Sequence, residues 1–217
     1  MTTLLVPLMA ALPACSNTGS TAPNPSTAPR AGESAPIDTS RVAHSVAARL
    51  KDRVYGSEAQ DPNAINCVEF VTEVVRECCA RSDQHAKFTA ELRQGIAIDN
   101  IRPDENLAAL IEKGDDRIKG VQWALTQAGL GIAVDVVDAQ PGDFVQYWYR
   151  SGDGWAGHSA VIKSIAEGTA VLLGSHHTAL AREQDKPAAQ RSGGVGESVP
   201  INLGDPARKV FVVRWKA

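Results

Sequence analysis

Pro141-Gly142-Asp143-Phe144-Val145-Gln146-Tyr147-Trp148-Tyr149 reads as a turn feeding a strand, and the residues after it repeat that pattern twice. Ser151-Gly152-Asp153-Gly154 is a second turn, before a strand from His158 to Ile165. Glu167-Gly168 is a hairpin turn into a third strand, Thr169 to Ser175,. A further strand is expected at Val210 to Trp215. Strands joined by turns this short pair antiparallel, because a parallel pair needs a crossover of a dozen residues or more.

Upstream, the period changes from two to 3.6. Cys67, Val71, Val74, Val75 and Cys78 form one apolar stripe of a helix running from Asn66 to about Arg81, while Glu69, Glu73, Arg76 and Glu77 mostly take the other side,. Asp61, Pro62 and Asn63 are helix-entry residues, and Asn66 is a candidate cap,. A second helix is expected over Asp116 to Ala128, striped by Ile118, Val121, Leu125 and Ala128 and closed by Gly129,. Between about Ser82 and Asp115 the pattern is poor, apart from a short helix near Leu107 to Ile111. Helices first and a strand meander after them give an α+β fold, with N-terminal helices packed on an antiparallel sheet or partial barrel.

Composition narrows the function classes. Of 217 residues, 22 are basic and 25 acidic, a formal net charge of −3, which offers no broad electrostatic grip on nucleic acid or an anionic lipid surface,. No apolar run reaches the roughly 18–20 residues of a membrane-spanning helix. Four cysteines without paired C-x-x-C spacing suit neither a disulfide scaffold nor a structural zinc site,.

Residues 1–15 read as a secretion signal: Met1 to Ala14 carry no charge and end in Leu12-Pro13-Ala14-Cys15,. That tetrapeptide resembles the lipobox of bacterial lipoproteins, which implies Cys15 as a lipidation site and a membrane contact made only through the anchor. Residues 16–40 are expected to be a disordered Ser/Thr/Pro/Ala linker, with a folded domain over 41–217,.

Two residue types in the domain carry nucleophile chemistry. Cys67 stands at a helix start, where unpaired N–H groups and the positive end of the dipole favour a thiolate. His158 follows Gly157 at the expected mouth of a strand, placing an imidazole at a sheet edge. Together they supply a nucleophile and its base. Each also has a plain structural reading, Cys67 as a small core residue and His158 as a hydrogen-bonded one. A zinc site from Cys67, His158 and His176 lacks any short-spaced ligand pair, and no metal or cofactor is expected,. Cys78 reads as core and the adjacent Cys79 as incidental. Trp148, Tyr149 and Trp155 line a groove or fill the core, Trp148 more naturally the core. Arg191 to Gly196 reads as an ordinary surface loop, with a mobile flap as the alternative.

Asn66-Cys67-Val68-Glu69-Phe70-Val71 resembles the Asp-Cys-Ser-Gly-Phe-Val motif of NlpC-type cell-wall peptidases, a papain-like superfamily. Gln140-Pro141-Gly142-Asp143-Phe144-Val145 and Gly157-His158-Ser159-Ala160-Val161 resemble two of that family's strands, in the family's order, and Tyr55 lies where its active-site tyrosine does. Asn66 stands in place of an aspartate and Val68-Glu69 in place of Ser-Gly, and an insertion of about 82–115 lengthens the Cys-to-His spacing. The resemblance implies a papain-like fold and a monomeric extracytoplasmic hydrolase acting on peptidoglycan stem peptides or another amide. It further implies Cys67 as nucleophile and oxyanion donor, His158 as base, His176 (with Ser175 or His177 as alternatives) orienting the imidazole, and Tyr55 in the oxyanion hole. A non-catalytic wall-binding lipoprotein and a related Cys-His acyltransferase or amidase remain open at this stage.

Overall fold

The structure, a computed structural model, describes residues 36–216. The expected signal, most of the linker and Cys15 lie outside the described residues. In chain order the elements are α1 (Thr39–Leu50), β1 (Val54–Tyr55), β2 (Ala64–Ile65), α2 (Cys67–Arg81), α3 (Ala90–Ala97), α4 (Leu107–Lys113) and α5 (Val121–Gln127). There follow β3 (Gly131–Val134), β4 (Phe144–Ser151), β5 (Gly154–Ala166), β6 (Thr169–His176), β7 (Gly194–Glu197), β8 (Ile201–Asn202) and β9 (Arg208–Trp215).

The fold is α+β with an antiparallel sheet ordered β3-β9-β4-β5-β6-β7, β8 pairing with β6. Alternation along the strands divides the core in two. Phe144, Val161, Leu173 and Val213 face the helices, where they meet Phe70, Val71, Val74 and Val75 of α2 and Val42 and Val46 of α1. Val145, Tyr147, Ala160, Ile162 and Leu172 face the other way, onto Ile201 and Leu203. Full burial of each such side chain contributes roughly 1.5–3 kcal/mol, so packing rather than propensity holds α2 in place.

Turn chemistry explains the register. Glu167 and Gly168 both take positive φ, 50° and 76°, as a two-residue hairpin turn demands,. At the first turn, the Asp143 N–H donates to the Gln140 carbonyl (3.1 Å) and the Asp143 carboxylate accepts from the Gln140 N–H (2.8 Å). Arg214 on β9 then donates one hydrogen bond to each oxygen of the buried carboxylate, at 2.9 and 2.8 Å.

Five expectations are corrected. The folded part begins before residue 41: α1 starts at Thr39, capped by the Asp38 carboxylate, and buries Val42, Ala43, Val46 and Leu50. The helix expected over Asp116 to Ala128 is a 3₁₀ turn (Asp116–Lys119) and then α5, broken at Gly120 with φ 51°. A Cβ there would sit 2.9 Å from Gln146 Oε1, so only glycine fits,. His158 lies within β5, opposite Tyr147, not at a strand mouth, because β4 and β5 stay paired up to Ser151 and Gly154. Cys79 is not incidental: it is buried in the helix-side core, and Cys67, Cys78 and Cys79 are all free thiols. Arg191 to Gly196 is a loop only as far as Gly193, since Gly194 to Gly196 belong to β7.

Asp143→Ala removes a buried charge that Arg214 and the Gln140 N–H both depend on. It is expected to cost about 2–4 kcal/mol, read as a lower denaturant midpoint at unchanged m-value. A midpoint within error of wild type would show that the turn does not depend on this pair.

Candidate active site

β5 and β6 are paired only as far as Val161 and Leu173; towards Ser159 and Ser175 they part. The β2–α2 junction bridges the gap. Ser175 Oγ donates to the Ile65 carbonyl at 2.6 Å, and the Ser159 N–H faces the Cys67 sulfur. At this gap the helix entry is held to β6 through a side-chain hydroxyl and lies against β5 at Ser159.

Asn66 caps α2 through a full capping box: its Oδ1 accepts from the Glu69 N–H (2.9 Å), and the Glu69 carboxylate accepts from the Asn66 N–H (2.8 Å),. Glu69 also accepts from the Glu58 N–H at 3.1 Å, tying the loop before β2 to the helix. The box leaves the N–H groups of Cys67 and Val68 outside its own bonds, and both face the Cys67 sulfur. Tyr55 lies close enough to that sulfur for each to shift the other's pKa.

Burial governs the electrostatics. It pushes the Cys67 thiol above its ordinary 9.0, and the donors from Ser159, Val68, Cys67 and Tyr55 only oppose the rise. The acidified thiolate expected from the helix start is therefore corrected: desolvation outweighs the local donors. Burial, then the neighbouring Cys67, raises Tyr55 to about 12. His158 is held well below 6.5 by burial and by His176. Burial takes His176 to about 4, against hydrogen bonding to the backbone at Gly196 and Leu172. At neutral pH the site holds a neutral thiol and two neutral imidazoles.

Cys67 and His158 line one cavity of about 300 Å³, together with Gln146, Trp148 and Gly157 from the sheet. Trp148 donates to the Ile118 carbonyl (2.8 Å) and lies across Gly157, where a Cβ would stand 2.8 Å from the ring. The segment expected as an insertion supplies the opposite wall, with Ala97, Ile98, Ile101 and Leu107. Its loop is stapled by Arg117, which pairs with both Glu105 (2.8 Å) and Asp115 (2.9 Å). Ile98 takes φ 63° at the end of α3, a left-handed conformation that costs a β-branched residue roughly 1–2 kcal/mol,.

The expected third residues separate by role. His176 meets His158 by stacking, ring centroids 4.8 Å apart and 28° between planes, not by the hydrogen bond expected of it. The Nε2 atoms of both rings are buried without a partner among the described residues. Ser175 spends its hydroxyl on Ile65, and exposed His177 lies against Tyr55 with centroids 5.1 Å apart. Gly193 packs on Tyr55 and on the His176 and His177 carbonyls, where a Cβ would come within 2.8 Å of Tyr55 Cβ. Buried Glu183 holds that glycine by accepting from its N–H (2.8 Å). Sequence reasoning missed Gln146, whose Oε1 accepts from Ser159 Oγ inside the cavity wall. A polar residue on the helix-facing side of an apolar strand was the available signal. Among the described residues, no group of three or more His, Cys, Asp or Glu side chains is arranged to hold a metal ion.

A histidine that stays neutral in the fold binds fewer protons than in the unfolded chain. The stabilisation is complete above pH 6.5 and is lost as pH falls towards the folded value, about 4 for His176,. The Arg117-paired Glu105 and Asp115, held at about 2, give way only at lower pH, below their ordinary 4.5 and 3.8. The melting temperature should therefore drop between pH 6.5 and 4 in wild type and less steeply in His176→Gln, by scanning fluorimetry across pH. A wild-type profile flat to pH 4.5 would contradict the buried neutral pair.

Comparison of the chain with protein-family models, with curated proteins and with solved structures gave no match. The functional reading rests on the site itself.

Proposed function

We propose that this protein is a thiol hydrolase that cleaves an amide bond by acyl transfer through Cys67, with peptidoglycan stem peptides as its substrate class. One observation carries the reading. A cysteine at a helix start shares a cavity with His158, and the capping box leaves the Cys67 and Val68 N–H groups at that start outside its own bonds. The resemblance to NlpC-type peptidases supports the substrate class and a papain-like assignment of the α+β fold. Asn66 and Glu69, at two of the motif's departures, serve here as the capping box that organises the same helix entry.

The chemistry starts from a neutral pair. His158 takes the thiol proton as the Cys67 sulfur attacks the substrate carbonyl carbon, and the imidazolium then gives that proton to the leaving amine. Water, deprotonated by His158, hydrolyses the thioester and returns both groups to their neutral forms. The Cys67 and Val68 N–H groups and the Tyr55 hydroxyl, protonated at neutral pH, serve as donors to the thiolate and to the oxyanion that follows,. His176 acts as a positioning residue, fixing the plane of His158 by stacking. The protein then works in the cell envelope, where its substrate is.

Incubation with purified peptidoglycan, followed by mass spectrometry of soluble fragments, tests the reading. Wild type should release amide-cleaved stem fragments, Cys67→Ala none, and Tyr55→Phe should turn over roughly 10–100-fold more slowly. Identical products from wild type and Cys67→Ala would exclude the hydrolase. Because the thiol lies above 9.0 and His158 below 6.5, kcat/KM should stay level across neutral pH and fall only on either side of that interval,. A narrow bell centred near pH 7 would mean that the neutral pair is not the reacting form.

A further inference from the structure

We propose that Glu183 is a positioning residue: through the Ser192–Gly193 stretch it sets where the Tyr55 ring stands beside Cys67. Only the role of that ring in turnover is taken from the hydrolase reading.

Glu183 is a carboxylate that the proposed chemistry does not use, and it is only 4% exposed. It lies in the connection between β6 and β7, far in sequence from both Tyr55 and Cys67. Burying a charge is costly unless its oxygens are met by donors. Here both are. Oε1 accepts from Lys186 Nζ (2.9 Å) and from Ser192 Oγ (3.0 Å), and Oε2 accepts from the Gly193 N–H (2.8 Å). Lys186 foremost, with the Gly193 and Ser192 donors, holds the carboxyl below its ordinary 4.5. It is charged at neutral pH, so its bonds to Ser192 and Gly193 are charge-assisted.

The stretch so held is the one that meets Tyr55. The Ser192 carbonyl accepts from the Tyr55 N–H at 3.3 Å. Gly193, at φ 64°, has no side chain to keep its neighbours away: a Cβ on it would stand 2.8 Å from Tyr55 Cβ and closer still to the His176 and His177 carbonyls. Tyr55 is therefore bonded to this stretch through its backbone and packed on it at the atom from which its ring departs. Its own strand offers little else, since β1 is two residues long and lies in a two-stranded sheet with the equally short β2. A shift of Ser192 and Gly193 passes directly to the ring. The carboxylate has an acceptor oxygen for each residue, whereas glutamine has one oxygen in all. Glu183→Gln thus opens one side of the clamp at nearly constant size.

Two measurements on the full chain test this. The chain has three tyrosines, so carbon-13 at the ring Cζ gives three resonances, and Tyr55→Phe identifies one of them. Glu183→Gln should move the Tyr55 resonance and leave those of Tyr147 and Tyr149 in place. Ser192→Ala, which removes a single donor, should move it less and in the same direction, and it replaces the glutamine variant if that one fails to fold. On solubilised peptidoglycan, Glu183→Gln should lower kcat roughly 10-fold with KM little changed, and should add no further loss in a Tyr55→Phe background. A purely structural role gives another pattern: a lower denaturant midpoint, a still Tyr55 resonance and a loss that multiplies with that of Tyr55→Phe. A Tyr55 resonance that does not move, or a multiplying loss, overturns the proposal. A moved resonance in a protein whose wild type releases no fragments would sink the hydrolase reading and leave the positioning of Tyr55 standing.

Discussion

The parting of β5 and β6 is the constraint from which the site follows. Beyond Val161 and Leu173 these strands are no longer paired, which leaves room for the helix entry beside them. The Ser175 hydroxyl donates to the Ile65 carbonyl, and the Ser159 N–H faces the Cys67 sulfur. The helix entry is thereby attached to both sides of the gap. That is how a thiol on α2, above the helix-facing core, comes to share a cavity with His158, whose strand neighbours Ala160 and Ile162 face the opposite core. On the far edge, β7 closes against His176 through Gly193 and Gly194, where backbone approaches backbone too closely for a side chain.

Legibility in the sequence tracked how local each cause was. The three turns at Pro141, Ser151 and Glu167 announced the strands between them, because Gly, Asp and Pro state their own backbone needs. The stripe of α2 and its cap at Asn66 were equally local. α1 was missed although Val42, Ala43, Val46 and Leu50 recur at helical spacing, since it abuts a Ser/Thr/Pro-rich stretch and much of its face is alanine. β7 was missed because Gly194-Val195-Gly196 has no strand propensity of its own; pairing with β6 makes it a strand,.

For the site, residue identity was readable and environment was not. Cys67, His158, Tyr55 and His176 could be named from spacing and resemblance, and all four are gathered around the β5–β6 gap. The direction of the Cys67 shift could not be read that way. A helix start predicts an acidic thiol, but Cys67 is buried by packing that only the folded chain assembles. The stacked, rather than hydrogen-bonded, arrangement of His158 and His176 likewise depends on how far two strands splay.

The segment spanning α3 and α4 connects these observations. Ala97, Ile98 and Leu107 give the cavity shared by Cys67 and His158 an apolar wall, and burial favours the neutral thiol and the neutral imidazole of the resting site,. The same burial strengthens every dipole aimed at the sulfur once charge develops there, because the local dielectric is low. A resting thiolate would have to be stabilised continuously against that burial; a neutral pair needs its donors only when a substrate carbonyl arrives. The segment that walls the cavity also carries the strained turn at Ile98, which is the local cost of placing that wall there,.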